Sequence, residues 1–168
     1  MQIDPFRDPD LTRALRDSVL PIVATCARPK FWHACCATGE DAFSSAKLLD
    51  EHGIYDRTAI FATDGSRRSI AMADQIALRS DLAKNICFFE HDLANDDVFA
   101  EVDVLFCRNV LGRFEAPLRD AVALKLARSL GFGGFLCLGR DEALPPVLEP
   151  IFSEVRRGTG IHRYAGAP

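Results

Sequence analysis

The sequence lacks the long apolar runs and the excess of positive charge that mark membrane and nucleic-acid proteins. Its longest apolar stretches, such as Val19 to Ala24 and Gly133 to Gly139, are far shorter than the about 20 residues of a membrane-spanning helix. Lys and Arg number 20 against 24 Asp and Glu, which gives a net charge of −4. Proteins that track phosphates have the opposite balance. We therefore expect neither membrane insertion nor a nucleic-acid partner.

Cysteine pairs of the metal-binding type are also lacking. None of the six cysteines forms a C-x-x-C pair, and the adjacent Cys35 and Cys36 are poorly placed to bind one tetrahedral metal ion together. Cys87, Cys107 and Cys137 each lie within an apolar run, which is typical of reduced core cysteines. No basic segment followed by an apolar one opens the chain, so no secretory signal is expected. The sequence predicts a cytoplasmic protein without a metal site.

No internal repeat, low-complexity segment or linker divides the 168 residues, and this length fits one domain. Residues 1–168 are therefore predicted to form a single domain. Its first helix is predicted over about residues 8–25, because Asp8 is a suitable N-cap and Pro9 a suitable first helical residue. Pro21 is expected to kink that helix.

Apolar segments of strand length then alternate with segments of helical period. The predicted strands are Lys30 to Cys35, Thr58 to Thr63, Ile86 to Glu90, Val102 to Cys107 and Phe135 to Leu138. The predicted helices are Glu40 to His52, Ser66 to Leu82, and a helix with an apolar face of Leu118, Val122, Leu126 and Leu130. This alternation predicts an α/β fold with a mostly parallel sheet. Weak strands around Glu154 to Arg157 and Ile161 to Tyr164 are predicted to form an antiparallel C-terminal hairpin.

The turn after the first strand carries the first indication of a ligand site. It reads Ala34-Cys35-Cys36-Ala37-Thr38-Gly39-Glu40 and keeps one glycine of the G-x-G-x-x-G nucleotide-binding pattern. Asp64 ends the second strand, close to the spacing expected of an acid that binds ribose hydroxyls. The same spacing is equally compatible with an aspartate that caps the next helix.

Five segments together resemble the chemotaxis-receptor methyltransferases, the CheR family. They are Phe31-Trp32-His33-Ala34-Cys35-Cys36-Ala37-Thr38-Gly39-Glu40-Asp41, Ala62-Thr63-Asp64, His91-Asp92-Leu93, Phe106-Cys107-Arg108-Asn109-Val110-Leu111 and Gly133-Gly134-Phe135-Leu136-Cys137-Leu138-Gly139. Pro5-Phe6-Arg7-Asp8-Pro9 is also similar to the family's Phe-Phe-Arg segment. The resemblance implies a Rossmann-like methyltransferase fold with S-adenosylmethionine as cofactor and S-adenosylhomocysteine as product. It also implies methylation of glutamate carboxylates, with a bacterial chemoreceptor or another signalling protein as partner.

The resemblance further implies roles for individual residues. Ala34 and Glu40 would contact the methionine part of the cofactor, Asp64 the ribose, Asp92 and Leu93 the adenine, and Cys107 and Arg108 the far side of the pocket, with Thr38, Gly39 and Asn109 completing the set. Arg7 matches the arginine that the family places near the transferred methyl group. The simpler alternatives are a helix-start acid for Glu40, a loop residue for Asp92 and a solvated surface charge for Arg7.

Two departures from the family pattern bear on activity. Arg113 stands where the family has a tyrosine near the methyl-transfer centre, and Cys35 replaces a glycine, so that its Cβ is expected to crowd the cofactor. The family's N-terminal helical domain and antiparallel subdomain are expected to be absent. Three functions stay open. The first is a methyltransferase of full or reduced activity with Arg7 and Arg113 as catalytic residues, and the second is a non-catalytic module that binds the cofactor or another nucleotide and acts through a protein partner. The third is a structural interaction domain with an empty crevice, which Cys35 would permit.

Three arginines are predicted to gather near one mouth of the crevice. Arg108, Arg113 and Arg140 follow the fourth and fifth strands, and such a cationic rim suits a carboxylate or another anionic ligand. The alternative is a solvated edge on which these arginines pair with nearby acids. The acids considered for that pairing are Glu115, Asp120, Asp141 and Glu142.

Overall fold

Seven strands form one sheet in the computed structural model, which describes residues 6–166. The strands are β1 (Lys30–Ala34), β2 (Ala59–Asp64), β3 (Ile86–Glu90), β4 (Val102–Phe106), β5 (Leu130–Cys137), β6 (Phe152–Glu154) and β7 (Ile161–Tyr164). Their order across the sheet is β3-β2-β1-β4-β5-β7-β6. The first five run parallel, and β7 is antiparallel to both of its neighbours. The predicted mostly parallel sheet with an antiparallel C-terminal pair is confirmed.

Two short helices, α1 (Pro9–Ala14) and α2 (Leu20–Val23), precede β1. Three longer helices connect parallel strands: α3 (Glu40–Glu51) lies between β1 and β2, α4 (Arg67–Ala77) between β2 and β3, and α5 (Ala116–Arg128) between β4 and β5. The chain runs from β1 outwards to β3 and then returns to place β4 on the other side of β1. The strand order therefore reverses between β1 and β4, which is where ligands bind in sheets of this type.

The first helix is interrupted before Pro21. Asp8 caps it as predicted, since the backbone N–H of Leu11 donates to the Asp8 carboxylate at 3.2 Å. A π-helical turn over Leu15–Val19 then separates α1 from α2. Pro21 has no N–H to donate to the carbonyl four residues earlier, and a wider turn accommodates the missing bond. The helix is therefore irregular next to Pro21, where a kink was predicted, and the helical segment ends at Val23 instead of residue 25.

Two apolar layers sandwich the sheet, and their composition corrects part of the predicted core. On α5, Val122 and Leu126 are buried as predicted, whereas Leu118 is 41% exposed. Leu130 does not belong to that helix but begins β5. Cys87 is exposed because β3 is an edge strand. The apolar period of a helix indicates which residues share a face, but it does not show how far the covering sheet extends.

Cys107 and Cys137 are fully buried, as predicted. Burial raises the pKa of the Cys107 thiol well above its usual range and that of Cys137 to about 12. Such thiols are inert core groups. Within residues 6–166 no group of three or more His, Cys, Asp or Glu side chains could hold a metal ion.

β5 begins earlier than predicted, at Leu130 instead of Phe135. The sequence prediction missed the first half of the strand because that half is rich in glycine. A Cβ at Gly134 would lie 2.9 Å from the carbonyl oxygen of Gly131 and 3.0 Å from that of Asp103. Glycine therefore allows the backbone of β5 to approach β4 closely, although such a segment lacks the apolar pattern of a strand. The predicted strand near residues 154–157 instead ends at Glu154. No helix in the described part of the chain is long and apolar enough to cross a membrane.

Candidate functional site

A cleft of about 340 Å³ opens beyond the carboxyl ends of β1 and β4, where the strand order reverses. This volume lies within the range of small-molecule sites, roughly 300–1,000 Å³. Half of the twelve predicted site residues line it: Ala34, Thr38, Glu40, Arg108, Asn109 and Arg113. Six further lining residues were not among the predicted site residues: His33, Cys35, Cys36, Ala37, Asp41 and Phe106. Residues from widely separated parts of the sequence thus meet at one point of the fold.

The turn between β1 and α3 has an unusual backbone. Cys35, Ala37 and Gly39 have positive φ angles of +54°, +49° and +85°. Residues with a Cβ adopt such angles uncommonly, and they do so mostly where the surroundings enforce them. Here the N–H of Cys36 donates to the Thr63 carbonyl at 2.8 Å, and the N–H of Gly39 donates to the Cys36 carbonyl at 2.8 Å. The turn is therefore a strained but firmly held wall of the cleft.

Gly39 belongs to this turn and is the N-cap residue that precedes α3. A Cβ at this position would lie 2.7 Å from the Phe88 ring, so that both its positive φ and its packing require glycine. Glu40 follows as the first helical residue, and its exposed carboxylate faces the cleft. Glycine thus brings the start of α3 against the sheet and presents Glu40 at the opening.

Asp64 joins the ends of β1 and β2. Its carboxylate accepts a hydrogen bond from the N–H of Ala37 and another from that of Ser66, both at 2.9 Å. The capping role that was open for Asp64 belongs to Ser66, whose hydroxyl accepts from the N–H of Ser69 at 3.2 Å. Each carboxylate oxygen has more than one acceptor site. Asp64 can therefore keep both backbone bonds and still accept from a ligand hydroxyl.

Asp92 and Leu93 do not line the cleft but lie in the loop after β3. The Asp92 carboxylate accepts from the side chain of Asn95 and from the N–H of Ala94, both at 2.8 Å. These hydrogen bonds hold its pKa below the usual range. Leu93 is buried, and its carbonyl accepts from the ammonium group of Lys125 at 3.0 Å. Within the protein, Asp92 therefore has the contacts of an ordinary loop residue, which was the simpler alternative to an adenine-binding role.

Electrostatics nevertheless connect this loop to the cleft. Burial raises the pKa of Cys35 to about 11, the negative charges of Asp64 and Asp92 act in the same direction, and Arg113 acts against them. Cys35 thus lies within the electrostatic reach of three predicted site residues.

Arg108 is anchored by two carboxylates that the sequence did not connect to it. Its guanidinium lies 3.1 Å from Asp41 and 3.4 Å from Asp8, and its side chain is only 15% exposed. Arg7, next to Asp8, is exposed, has a φ of +53° and does not line the cleft. Cys107 is fully buried and does not line it either.

The predicted rim of three arginines is only partly present. Arg140 pairs with Asp10 at 2.6 Å and Arg108 with Asp8 and Asp41, so the acidic partners expected from the sequence are wrong. Within the described range, no salt bridge engages Arg113, which is exposed and lines the cleft. Arg113 is therefore the guanidinium that remains available to a ligand.

Glu142 has a positioning role that sequence reasoning missed. Its carboxylate accepts four backbone hydrogen bonds: from Asn109 at 2.6 Å and from Val110, Leu111 and Gly139 at 2.9 Å each. It thereby holds the loop after β4 against the end of β5. A Cβ at Gly139 would overlap the Asn109 side chain. The sequence signal for this role is Gly139, three positions before Glu142. That signal can be interpreted only when the loop at Asn109, 33 positions before Glu142, is known to lie beside them.

His33 forms part of the cleft floor and is neutral. It stacks on Phe106 with ring centroids 4.3 Å apart, and its Nε2 lies 2.9 Å from the Ser45 hydroxyl. Burial, aided by the positive charge of Arg108, lowers its pKa to about 3. A group with so low a pKa is a weak proton acceptor at neutral pH.

The residues present suit S-adenosylmethionine. The free acceptor sites of Asp64 match ribose hydroxyls, and the exposed Glu40 carboxylate matches an ammonium group. The left-handed turn at Cys35 and Ala37 forms part of the cleft lining.

Comparison with known proteins agrees with this assignment. The chain matches the family described as CheR methyltransferase, SAM binding domain, over residues 3–78 and 72–159. The Cher3 protein of Pseudomonas putida, which carries a methyltransferase name, is 35% identical over 173 residues; the match covers 83% of this chain and 63% of that relative. The chain therefore spans less than two thirds of that relative's length. A chemotaxis protein methyltransferase of Vibrio parahaemolyticus is 30% identical over 191 residues, covering 93% of this chain and 69% of the relative.

Solved structures show the same fold at low identity. The StiE O-MT fragment is 22% identical with a TM-score of 0.61, covering 77% of this chain and 42% of its own. The glycopeptide N-methyltransferase MtfA, solved with sinefungin, is 12% identical with a TM-score of 0.59, covering 76% of this chain and 48% of its own. The chain therefore belongs to the CheR methyltransferase family, and S-adenosylmethionine is the cofactor of this family's SAM-binding domain.

Proposed function

We propose that this chain binds S-adenosylmethionine in the cleft and transfers its methyl group to a glutamate carboxylate of a signalling protein. One observation carries the proposal: predicted site residues from the turn after β1 and the loop after β4 meet in one cleft where the strand order reverses. The chemotaxis names of relatives support the acceptor class. The partner is a bacterial chemoreceptor or another signalling protein, and the proposed site of action is the cytoplasm.

Several residues would hold the cofactor. Asp64 would accept from the ribose hydroxyls, Glu40 would pair with the amino group of the methionine part, and Asp92 and Leu93 would border the adenine end. When bound, the cofactor supplies an electrophilic methyl group. The strained turn with Cys35 would determine how closely the backbone approaches it.

Arg113 and Arg7 would hold the acceptor. Arg113 lines the cleft and is exposed, and a guanidinium forms two parallel hydrogen bonds with a carboxylate. A glutamate side chain with an ordinary pKa of about 4.3 is ionised at neutral pH and needs no general base. The neutral His33 on the cleft floor is consistent with such chemistry. The role of these residues is to hold the carboxylate in line with the methyl group.

Calorimetric titration with S-adenosylmethionine and S-adenosylhomocysteine tests the first half of the proposal. We expect both to bind at a single site. Absence of binding by either would contradict it.

Transfer of tritiated methyl groups to receptor-containing membranes tests the second half. Base-labile release of labelled methanol is the expected readout of a carboxyl methyl ester. Tight cofactor binding without transfer would favour the non-catalytic module instead. Because Arg113 replaces the family's tyrosine, we expect turnover slower than that of intact relatives, by as much as about a hundredfold if the acceptor is misplaced.

A further inference from the structure

A second cavity of about 390 Å³ is lined almost entirely by charged and polar groups. We call it the arginine groove. Its walls come from the first turn of α1, the loop after β5 and the turn between β6 and β7. The residues that define it are Asp10, Arg140, Asp141, Arg156, Arg157 and Thr159. Three guanidinium groups line the groove against the two carboxylates of Asp10 and Asp141, so cations outnumber anions here although the whole chain has a net charge of −4.

The groove adjoins the cleft through the first turn of α1. Asp8 bonds Arg108, which lines the cleft, and Asp10, two residues later, bonds Arg140, which lines the groove. A ligand that fills the cleft entrance therefore has the groove as its neighbour along α1.

A second connection runs through the loop after β5. Glu142 bonds the backbone of Gly139, beside Arg140, and also that of Asn109 in the cleft wall. The same carboxylate therefore bonds the cleft wall at Asn109 and the residue that precedes Arg140 of the groove.

The arginines keep unused hydrogen-bonding capacity. Arg140 contacts Asp10 through one terminal nitrogen at 2.6 Å, and Arg156 contacts Asp17 through one at 3.4 Å. Both pairs are largely exposed, with Arg140 56% and Arg156 45% accessible, and exposed pairs of this type contribute little. A guanidinium has five N–H donors, so each arginine can bind a further carboxylate. Within residues 6–166 no salt bridge engages Arg157, which is exposed.

We propose that the arginine groove binds an acidic segment of the methyl-accepting protein, next to the glutamate that enters the cleft. This inference rests on the proposed function for the identity of the acceptor, and it adds a recognition surface outside the cleft. Guanidinium groups bind carboxylates through charge-assisted hydrogen bonds, and complementary charge attracts an acidic segment. An acidic acceptor segment would be drawn to the groove and its reactive glutamate aligned at Arg113.

Binding of a labelled peptide tests the groove independently of methyl transfer. The probe is a fluorescein-labelled helical peptide with several glutamates around one acceptor glutamate, and its partner has glutamine at every flanking position. In fluorescence anisotropy with S-adenosylhomocysteine present, we expect the wild-type protein to bind the glutamate peptide at least about tenfold more tightly at low salt. The preference should shrink as salt is raised.

The double variant Arg156→Glu/Arg157→Glu should lose that preference. The matched control is Arg79→Glu/Arg128→Glu, which makes the same charge change where α4 and α5 end, at the end of the parallel strands opposite to the groove. The control should keep the preference. A preference that survives in the groove variant, or equal binding of both peptides by the wild-type protein, would overturn the proposal.

The milder Arg157→Gln guards against misfolding, because it removes one charge without adding another. We expect an intermediate preference and an unchanged thermal melting curve. Calorimetric titration with S-adenosylhomocysteine on the same samples separates the two proposals. If S-adenosylhomocysteine binds and the preference for the glutamate peptide is missing, the groove proposal is refuted while the proposed cofactor site stands. If the preference is present and S-adenosylhomocysteine does not bind, the proposed cofactor site is refuted while the groove proposal stands.

Discussion

The carboxylate of Asp64 accepts a 2.9 Å hydrogen bond from the backbone N–H of Ala37 and so joins the end of β2 to the turn after β1. Ala37 has a φ of +49° in this turn. The residue proposed to bind the ribose is therefore also one that holds the cleft wall in its strained shape. Cofactor binding and local backbone order are expected to depend on the same side chain.

Asp64→Ala is expected to weaken binding of S-adenosylhomocysteine by a few kcal/mol, as when ligand hydroxyls lose a charged acceptor. The affinity of Asp64→Asn, which keeps one acceptor oxygen, should lie between that of Asp64→Ala and that of the wild type. Isothermal calorimetry measures both affinities, and circular dichroism checks that the fold is retained. Unchanged affinity in Asp64→Ala would contradict the ribose role.

Cys35→Gly is expected to bind the cofactor at least as well as the wild type. Glycine adopts the φ of +54° without strain and removes the Cβ beside the cleft. Relief of backbone strain stabilises the folded state, whereas the higher backbone entropy of glycine stabilises the unfolded state. Because the two effects oppose each other, the free energy of unfolding should change by no more than about 1 kcal/mol.

Cys36→Gly is the matched control, since Cys36 has no positive φ and gains no such relief. Urea denaturation and S-adenosylhomocysteine titration compare the two. A clear loss of affinity in Cys35→Gly would show that the thiol packs usefully against the ligand.

Glu142→Gln is expected to destabilise the protein by about 2 kcal/mol, although the two side chains have the same shape. The carboxylate accepts from four backbone N–H groups, and the amide group of glutamine would place donors against donors. Cofactor affinity should fall as the loop after β4 loosens. Glu149→Gln on the exposed surface is the control, and equal stability of both variants would contradict this role.

The stability of the protein is expected to fall as the pH drops below the ordinary histidine pKa of about 6.5. Because burial lowers the pKa of His33 to about 3 in the folded protein, the unfolded chain binds a proton over this interval that the folded chain does not. His33 should therefore contribute a loss of about 2 kcal/mol between pH 7 and pH 5. The lowered pKa of His162, also caused by burial, acts in the same direction.

Urea denaturation at several pH values measures this dependence. His33→Gln should show a smaller loss than the wild type, while His52→Gln, at an exposed position, should match the wild type. An unchanged slope in His33→Gln would assign the pH dependence to other groups.

Arg113→Ala is expected to raise the KM for the methyl-accepting protein by about tenfold or more, the value of a lost charge-assisted hydrogen bond. The affinity for S-adenosylhomocysteine should stay nearly constant, because the proposed contact is with the acceptor. Arg119→Ala, on α5, is the control. A rise in KM of the same size in both variants would refute a specific role for Arg113.

The order of apolar and helical segments was enough to predict a mostly parallel sheet, because strand and helix periods are local properties of a sequence. The cap at Asp8 and the interruption before Pro21 could be predicted for the same reason, since each depends on neighbouring residues. The turn from Ala34 to Glu40 indicated a ligand site through its single glycine. Resemblance then identified six residues that the fold brings together in the cleft.

Tertiary structure alone decided the contacts between distant segments. Arg108 pairs with Asp8, 100 positions away, and Glu142 holds the backbone of Asn109, 33 positions away. Exposure of Cys87 follows from the edge position of β3, which strand length and apolarity do not reveal. These features depend on the order of the strands and on how closely their backbones pack. A local sequence pattern contains no information on either. The sequence by itself thus determined which residues are suited to a ligand, and the packed sheet decided which of them meet.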